Sequence, residues 1–429
     1  MKIGRRHVLG AGLGAAGLAT AGGFGAWHWL KGTRPVVQLA ADGFRPLDLA
    51  GPMEILGRLP EAAPILASAI GARVKAASGS LALDTRPLAE IAAPDIIVLT
   101  GGERGPPAEA ELDWLRKQAG SARAVLAVGD GRRWLEAAGL NADGKRIVTS
   151  AGGAAALDAS LAIAARLEDQ AMAEALQLAI EYDPAPPFPD AVAGALPEAP
   201  NLRIAILIYE GMTALDAFGP YAVLSLVPAL TLDLVGVSTA PVNNDMGNLF
   251  FRPNHMISDA PEADLILIPG GSIGTEWIKS DPRVGDWLMR HHAQKRRIAS
   301  VCTGALILAE TGLLKGKDVT THWASQAAIE ARGSRFRHAR AVNQGATVTA
   351  AGVSAGIDLA LSLVGELYGE AAGAGVQAQL PYAPAPPFRS GALPLARPAV
   401  IDQARAILQR NALASAIRIK KRDWWGDNQ

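Results

Sequence analysis

The sequence contains a single cysteine, Cys302, among its 429 residues. One cysteine excludes a disulfide within the chain and any metal site built from several cysteines. The chain also lacks an excess of charge of either sign, since 41 Lys and Arg residues balance 41 Asp and Glu residues. Without a net positive field, nucleic-acid binding is not expected. Two roles remain for Cys302, a reactive thiol or a small buried side chain.

The N-terminal segment 1–33 is predicted to be an export signal or a membrane anchor. Arg5 and Arg6 precede residues 8–30, which carry no charge and are rich in Gly and Ala. An arginine pair before an apolar run is typical of a twin-arginine signal, and a run of this length can cross a bilayer. We therefore expect an exported protein that is periplasmic or is held at the membrane by this segment.

An internal repeat divides the rest of the chain into two copies. Residues 42–56 are echoed by 210–224 at an offset of 168, and 182–188 match 382–388 at an offset of 200. The change of offset means that the first copy lacks about 27 residues, which we place between His322 and Thr349 of the second copy. The predicted segments are a first domain at 34–190, a linker at 191–200, a second domain at 201–397 and a helical tail at 398–429.

Both copies alternate short apolar strands with helical stretches. In the second copy the predicted strands include 202–209, 264–268 and 297–301, each bounded by Gly or Pro signals. Nearly continuous apolar strands are typical of a parallel sheet covered by helices on both faces, with its ligand site at the carboxyl ends of the strands. The sequence therefore predicts the α/β class, with two tandem flavodoxin-like domains.

Cys302 lies at a sharp turn between a predicted buried strand and a helix that begins near Gly304. This arrangement is typical of a nucleophile elbow, which presents the sulfur at the end of the strand. The N-terminus of the following helix favours a thiolate, so we predict a depressed pKa for Cys302. The alternative is that Cys302 is a packed, unreactive thiol.

Three further positions are candidates to assist the thiol. Asp216 follows the first strand of the second copy at the ligand-facing edge of the sheet, although it could instead cap the next helix. Gly270 and Gly271 end another strand, where the backbone N–H of Gly271 and that of Thr303 could form an oxyanion hole; a plain tight turn is the alternative. His322 ends the next predicted strand and is either a base or a packed histidine. No metal is implied.

Several motifs of the second copy occur together in one known family. They are Leu215-Asp-Ala-Phe-Gly-Pro220, Pro269-Gly-Gly271, Ser300-Val-Cys-Thr-Gly304, Thr320-Thr-His-Trp323 and Tyr382-Ala-Pro-Ala-Pro-Pro-Phe388. Together they resemble the isonitrile hydratase branch of the ThiJ/PfpI superfamily, which has the class I glutamine amidotransferase-like fold. The resemblance implies that Cys302 adds to the isonitrile carbon, that Asp216 handles protons and that Thr303 is also required. It implies a small-molecule substrate, an N-substituted formamide as product, and no cofactor.

The first copy has lost the candidate nucleophile. It keeps Asp48 at the position of Asp216 but has Gly129 at the position of Cys302, and we align Ser150 with His322. Because members of the family commonly form dimers, we expect this pseudoenzyme domain to pair with the second copy within the chain, unless two chains form a homodimer.

Two functions fit these observations. The first is a cofactor-free lyase or hydrolase that adds water to a small electrophilic carbon through Cys302. Peptidase activity is not expected, because the protease-like branch has a histidine where Thr303 follows the cysteine. The second is an exported thiol or redox sensor, or a ligand-binding module related to the sensory domain of transcription regulators. The tail at 398–429 is too short to hold the DNA-binding domain of such a regulator.

Overall fold

The computed structural model describes residues 33–103, 107–190, 192–197 and 201–420. Residues 1–32, which carry almost all of the predicted signal or anchor, lie outside these ranges. Within them, no helix combines the length and the apolar character needed to cross a bilayer.

The first copy is built around a parallel sheet of six strands in the order β5-β2-β1-β6-β7-β8. The strands of this copy are β1 (Arg34–Ala40), β2 (Ala62–Ser68), β3 (Val74–Lys75), β4 (Ala82–Asp84), β5 (Arg86–Pro87), β6 (Ile96–Gly101), β7 (Ala124–Val128) and β8 (Ile147–Ser150). The helices are α1 (Pro46–Leu56), α2 (Glu109–Ala119), α3 (Gly131–Ala137), α4 (Ala154–Leu167) and α5 (Gln170–Ala179), with a 3₁₀ helix at Leu88–Glu90.

The second copy is built around a sheet of seven strands in the order β13-β10-β9-β14-β15-β19-β18, in which only β18 is antiparallel to its neighbour. Its strands are β9 (Leu202–Leu207), β10 (Leu230–Gly236), β11 (Val242–Asn243), β12 (Phe250–Phe251), β13 (His255–Met256), β14 (Leu265–Ile268), β15 (Arg297–Val301), β16 (Asp318–Val319), β17 (Arg335–Phe336), β18 (Ala341–Gln344) and β19 (Thr347–Ala350).

The helices of the second copy lie between these strands and after them. They are α6 (Ala214–Leu224), α7 (Ile273–Ile278), α8 (Pro282–Ala293), α9 (Gly304–Glu310), α10 (Gln326–Glu330), α11 (Val353–Tyr368) and α12 (Glu370–Gln379), with 3₁₀ helices at Trp323–Ser325 and Leu393–Leu395. A long last helix, α13 (Pro398–Lys420), packs against α5 of the first copy.

Successive residues of one strand belong to different hydrophobic cores. Val36 of β1 lies in the large core that contains residues of both copies, whereas Val37 lies in a second core on the other face of the sheet. A strand buried on both faces needs helices on both faces. The predicted α/β class with parallel sheets is therefore confirmed.

The two sheets share an order of strands, and this order corrects one alignment made from the sequence. β8 pairs with β7 so that Ser150 lies opposite Val128, and β19 pairs with β15 so that Ala350 lies opposite Val301. Ser150 thus corresponds to Ala350, and its alignment with His322 is wrong. The extra segment of the second copy starts before β16 rather than after His322, so His322 belongs to it and has no counterpart in the first copy.

The copies contact each other through reciprocal hydrogen bonds. Tyr182 donates to Asp158 within the first copy, and Asp158 also accepts from the backbone N–H of Ala385 in the second. Likewise Tyr382 donates to Asp358, which accepts from the N–H of Ala185. A small sheet, in the order β11-β12-β4-β3, is formed by strands of both copies.

Candidate active site

The backbone at Cys302 has the conformation of a nucleophile elbow. Cys302 follows β15, precedes α9 and has a φ of 57°, a left-handed value that is unfavourable for a residue with a side chain. Its N–H donates to the carbonyl oxygens of Ala350 and Ala351 at 3.1 and 2.6 Å, which hold the turn against the end of β19. The residue is 7% exposed, so the thiol is almost enclosed.

Asp216 lies in the first turn of α6, which begins at Ala214, so it is not the residue that caps this helix. It is fully buried, and its Oδ2 accepts the N–H of Gly270 at 3.1 Å. Its Oδ1 accepts no hydrogen bond from a nitrogen or oxygen donor of the described residues. Burial, together with the nearby carboxyl of Glu54, raises the pKa of Asp216 well above its ordinary value. Burial therefore favours the protonated form of Asp216, which lies next to the Cys302 thiol.

The Thr303 side chain joins the elbow to the glycine pair after β14. Its Oγ1 accepts the N–H of Gly271 at 2.9 Å, donates to the carbonyl oxygen of Gly271 at 2.7 Å and lies 3.0 Å from Oγ1 of Thr275. The N–H of Gly271, predicted as an oxyanion donor, would have to leave this partner before it could bind substrate. The N–H of Thr303 is the donor that already faces the Cys302 thiol.

The predicted low pKa of Cys302 is wrong for this enclosed geometry. Burial raises the pKa of the thiol well above its usual value, and the carboxyls of Asp216 and Glu181 raise it further, while the Thr303 N–H lowers it. The helix that follows has seven residues, and the N–H of Thr303 just before it is the group at this helix end that acts on the thiol. Cys302 is thus a neutral thiol at pH 7 in this state.

His322 does not occupy the position of a base for Cys302. One ring nitrogen, Nε2, lies 3.0 Å from the carbonyl oxygen of Ala179 in the first copy, and Nδ1 accepts the N–H of Ala324 at 3.3 Å. Burial lowers the pKa of His322 to about 4, which keeps the ring neutral. Because both nitrogens bind backbone groups, the structure supports the alternative of a packed histidine.

Comparisons with known proteins identify the family of the second copy. Residues 202–366 match the DJ-1/PfpI family. An isonitrile hydratase from Pseudomonas putida is 41% identical over 204 residues, which make up 48% of this chain and 89% of that protein. The chain belongs to the DJ-1/PfpI family.

The chain is also similar to a transcriptional regulator over a short stretch and to a solved structure over about half of its length. An HTH-type transcriptional regulator from Mycobacterium tuberculosis is 41% identical over 51 residues, which are 12% of this chain and 19% of that protein. The crystal structure of a ThiJ/PfpI family protein from Pseudomonas syringae aligns with a TM-score of 0.47 at 31% identity, covering 53% of this chain and 98% of that one.

The first copy of this DJ-1/PfpI chain keeps the elbow without the thiol. Gly129 has a φ of 52°, close to that of Cys302, and a glycine adopts this conformation readily. Asp48 turns into the space of the missing side chain: its Oδ1 accepts the N–H of Gly153 at 2.5 Å, and its Oδ2 would lie 2.8 Å from a Cβ at Gly129. Burial raises the pKa of Asp48 to about 6.

Sequence reasoning missed a buried charge cluster beside Asp216. Glu54 and Arg58 of the first copy form an ion pair, and Arg58 also reaches Asp245 of the second copy at 3.1 Å. Oγ1 of Thr213, just before α6, donates to Asp245 at 3.2 Å. The available signal was Glu54 itself, a charged residue in a helix that is apolar at every other position except Asp48.

Among the residues that the structure describes, no three His, Cys, Asp or Glu side chains converge in the way that metal ligands would.

Proposed function

We propose that this chain is an isonitrile hydratase-like hydro-lyase, in which Cys302 adds to the carbon of a small isonitrile and water completes the reaction. The 41% identity with isonitrile hydratase of Pseudomonas putida, over 89% of that protein, supports the reaction class. The observation that carries the proposal is a fully buried carboxyl, Asp216, placed at the thiol of an elbow cysteine, where burial favours its protonated form. A proton donor and a nucleophile that act on one carbon are what this addition requires.

Asp216 and Cys302 together supply the proton and the nucleophile that the addition needs. The proton of Asp216 passes to the terminal carbon of the isonitrile, while Sγ of Cys302 forms a bond to the same carbon. The thiol proton then replaces the one that Asp216 gave up, and a thioimidate remains on the enzyme. The raised pKa of Asp216 serves this step, because an ionised carboxylate has no proton to donate.

Hydrolysis of the thioimidate releases the product. Water adds to the carbon bound to Sγ, and one of its protons goes to the nitrogen. The carbon–sulfur bond then breaks, the hydroxyl proton returns through Asp216 to the sulfur, and an N-substituted formamide leaves. The N–H of Thr303 faces the sulfur and stabilises negative charge that develops there.

The test is to incubate the purified chain with a series of alkyl and aryl isonitriles and to follow formamide production by NMR. Cys302→Ala is expected to lose at least about a thousandfold in kcat, because the covalent route is gone. Asp216→Asn is expected to lose about a hundredfold or more, because an amide cannot transfer the proton.

The chain offers a matched control in Asp48→Asn, the same substitution at the corresponding position of the first copy, which should leave kcat unchanged. Absence of turnover in the wild-type protein, or turnover that survives in Cys302→Ala, would contradict the proposed function.

The sensor alternative has less support from the geometry. An oxidation-sensing thiol is typically exposed and has a lowered pKa, whereas Cys302 is buried and its pKa is raised. If peroxide oxidised Cys302 rapidly in a protein that is inactive on isonitriles, the sensor interpretation would be preferred.

A further inference from the structure

Glu181 belongs to the first copy but is held by the second. Its Oε1 accepts the N–H of Trp323 at 3.3 Å. Its carbonyl oxygen accepts from Oγ of Ser354 at 2.9 Å and from Nη1 of Arg340 at 3.3 Å. The residue has a φ of 45°, a left-handed value that is unfavourable for a residue with a side chain. Three separate parts of the second copy thus fix one glutamate from the other.

The carboxyl of Glu181 lies against Gly352, next to the peptide that supports the elbow. Its buried Oε2 accepts no well-formed hydrogen bond within the described residues, and it fills the space that a Cβ at Gly352 would need. The residue before Gly352 is Ala351, whose carbonyl oxygen accepts the Cys302 N–H at 2.6 Å. A single short segment, Ala351 and Gly352, therefore connects the carboxyl to the nucleophile.

The corresponding position of the second copy, which faces the elbow of the first copy, has no carboxyl. The residue that corresponds to Glu181 is Pro381, which also has a positive φ, of 29°. Its carbonyl oxygen would lie 2.6 Å from a Cβ at Gly153, the residue after Gly152, which is the counterpart of Gly352. The first-copy elbow has Gly129 in place of the nucleophile. The second copy, which has the thiol, receives a carboxyl from its partner copy, whereas the first copy, which has no thiol, receives a proline. A residue that only held the two copies together would not need to differ in this way.

We propose that Glu181, supplied by the copy that lacks a nucleophile, is a positioning residue of the Cys302 site. Its side chain packs against Gly352 and so holds in place the segment, Ala351 and Gly352, that supports the elbow. When its carboxyl is ionised, the negative charge disfavours the thiolate of Cys302. The activity test of this inference rests on the proposed function, whereas the alkylation test of the thiol does not.

The expected pH dependence follows from the groups that face Glu181. Burial raises its pKa to about 8, Arg340 opposes that shift and Asp183 adds to it. The carboxyl is therefore neutral at pH 7 and ionises as the pH passes about 8. The resulting negative charge raises the pKa of Cys302 and disfavours the thiolate.

The decisive variant is Glu181→Gln in the full chain, with Cys302 alkylation by iodoacetamide measured from pH 6 to pH 10. The variant keeps the shape of the side chain but cannot ionise, so the apparent pKa of Cys302 should shift downward and alkylation at pH 9 should be faster than in the wild type. Glu181→Met, uncharged and of similar volume, should give the same shift. It provides the test if the glutamine variant does not fold.

Activity gives the second measurement. Glu181→Ala removes the bond to Trp323 and should lower kcat by about tenfold or more, whereas Glu181→Gln should restore most activity at pH 7. The control is Glu174→Gln, since Glu174 also lies in the first copy but pairs with Arg397 at 2.8 Å. An alkylation profile that is the same in Glu181→Gln and in the wild type would overturn the proposal, whether or not the protein converts isonitriles.

Discussion

Gly270 offers a sharp test of the site, because it lies between the groups that the proposed reaction uses. A Cβ at this position would lie 2.6 Å from the N of Thr303, 2.7 Å from Oγ1 of Thr303 and 2.8 Å from Oδ2 of Asp216. Unstrained contacts of carbon atoms are about 3.5 to 4.0 Å, so Gly270→Ala must move these groups by roughly 1 Å. Because Gly270 has no left-handed φ, the substitution adds no backbone strain, and its effect comes from steric overlap alone.

The size of the effect can be estimated from the shift. Overpacking of a well-packed site costs about 1–3 kcal/mol of unfolding free energy. A displacement of about 1 Å at reacting groups costs about a hundredfold in rate, so kcat should fall much more than stability does. Isonitrile turnover and thermal unfolding, measured on the same preparation, give the two quantities.

Gly285→Ala is the matched control. Gly285 is the fourth residue of α8, and a Cβ there meets nothing within 4 Å. The substitution should stabilise the protein by about 0.5–1 kcal/mol and leave kcat unchanged. If Gly270→Ala kept wild-type turnover, the groups around Gly270 would not be the reacting groups, and the reasoning would fail.

Three more predictions follow from the thiol, the first copy and the N-terminal segment. Because the pKa of Cys302 is raised, iodoacetamide should modify this single thiol slowly at pH 7 and faster as the pH rises through 9; a rate already at its plateau below pH 7 would refute this. Adding Gly129→Cys to Cys302→Ala should not restore activity, because Asp48 fills the pocket; formamide production is the readout. Deleting residues 1–30 should yield a soluble protein, whereas the full chain should fractionate with the membrane or periplasm; full-length protein found only in the cytosol would contradict export.

The sequence was sufficient to predict that Cys302, Asp216 and Thr303 lie together. Each stands in a motif at the carboxyl end of a strand, and adjacent parallel strands bring those ends to one edge of the sheet. The orientation of a side chain is not contained in that pattern. His322 also follows a strand end, yet its ring is turned toward the backbone of Ala179.

The charge state of the thiol and the role of Glu181 could not be predicted from local motifs. The field of a helix N-terminus is visible in the sequence, but the burial that opposes it depends on every segment packed over Cys302. Glu181 reaches the site only because the two copies pack face to face. Its sequence signal, a glutamate before one Tyr-x-Pro-Ala-Pro-Pro-Phe motif and Pro381 before the other, was visible but had no interpretation without the contacts.

The small sheet shared by the copies determines how activity depends on protein concentration. β12 pairs with β4 so that Phe250 lies opposite Asp84 and Phe251 opposite Leu83, and all four residues belong to one polypeptide. In an assembly of separate chains, a site completed by the partner is lost when the concentration falls below the dissociation constant. Here the partner is tethered, so its effective concentration is fixed by the chain and does not depend on expression level. Activity per molecule should therefore stay constant down to the lowest assayable concentrations.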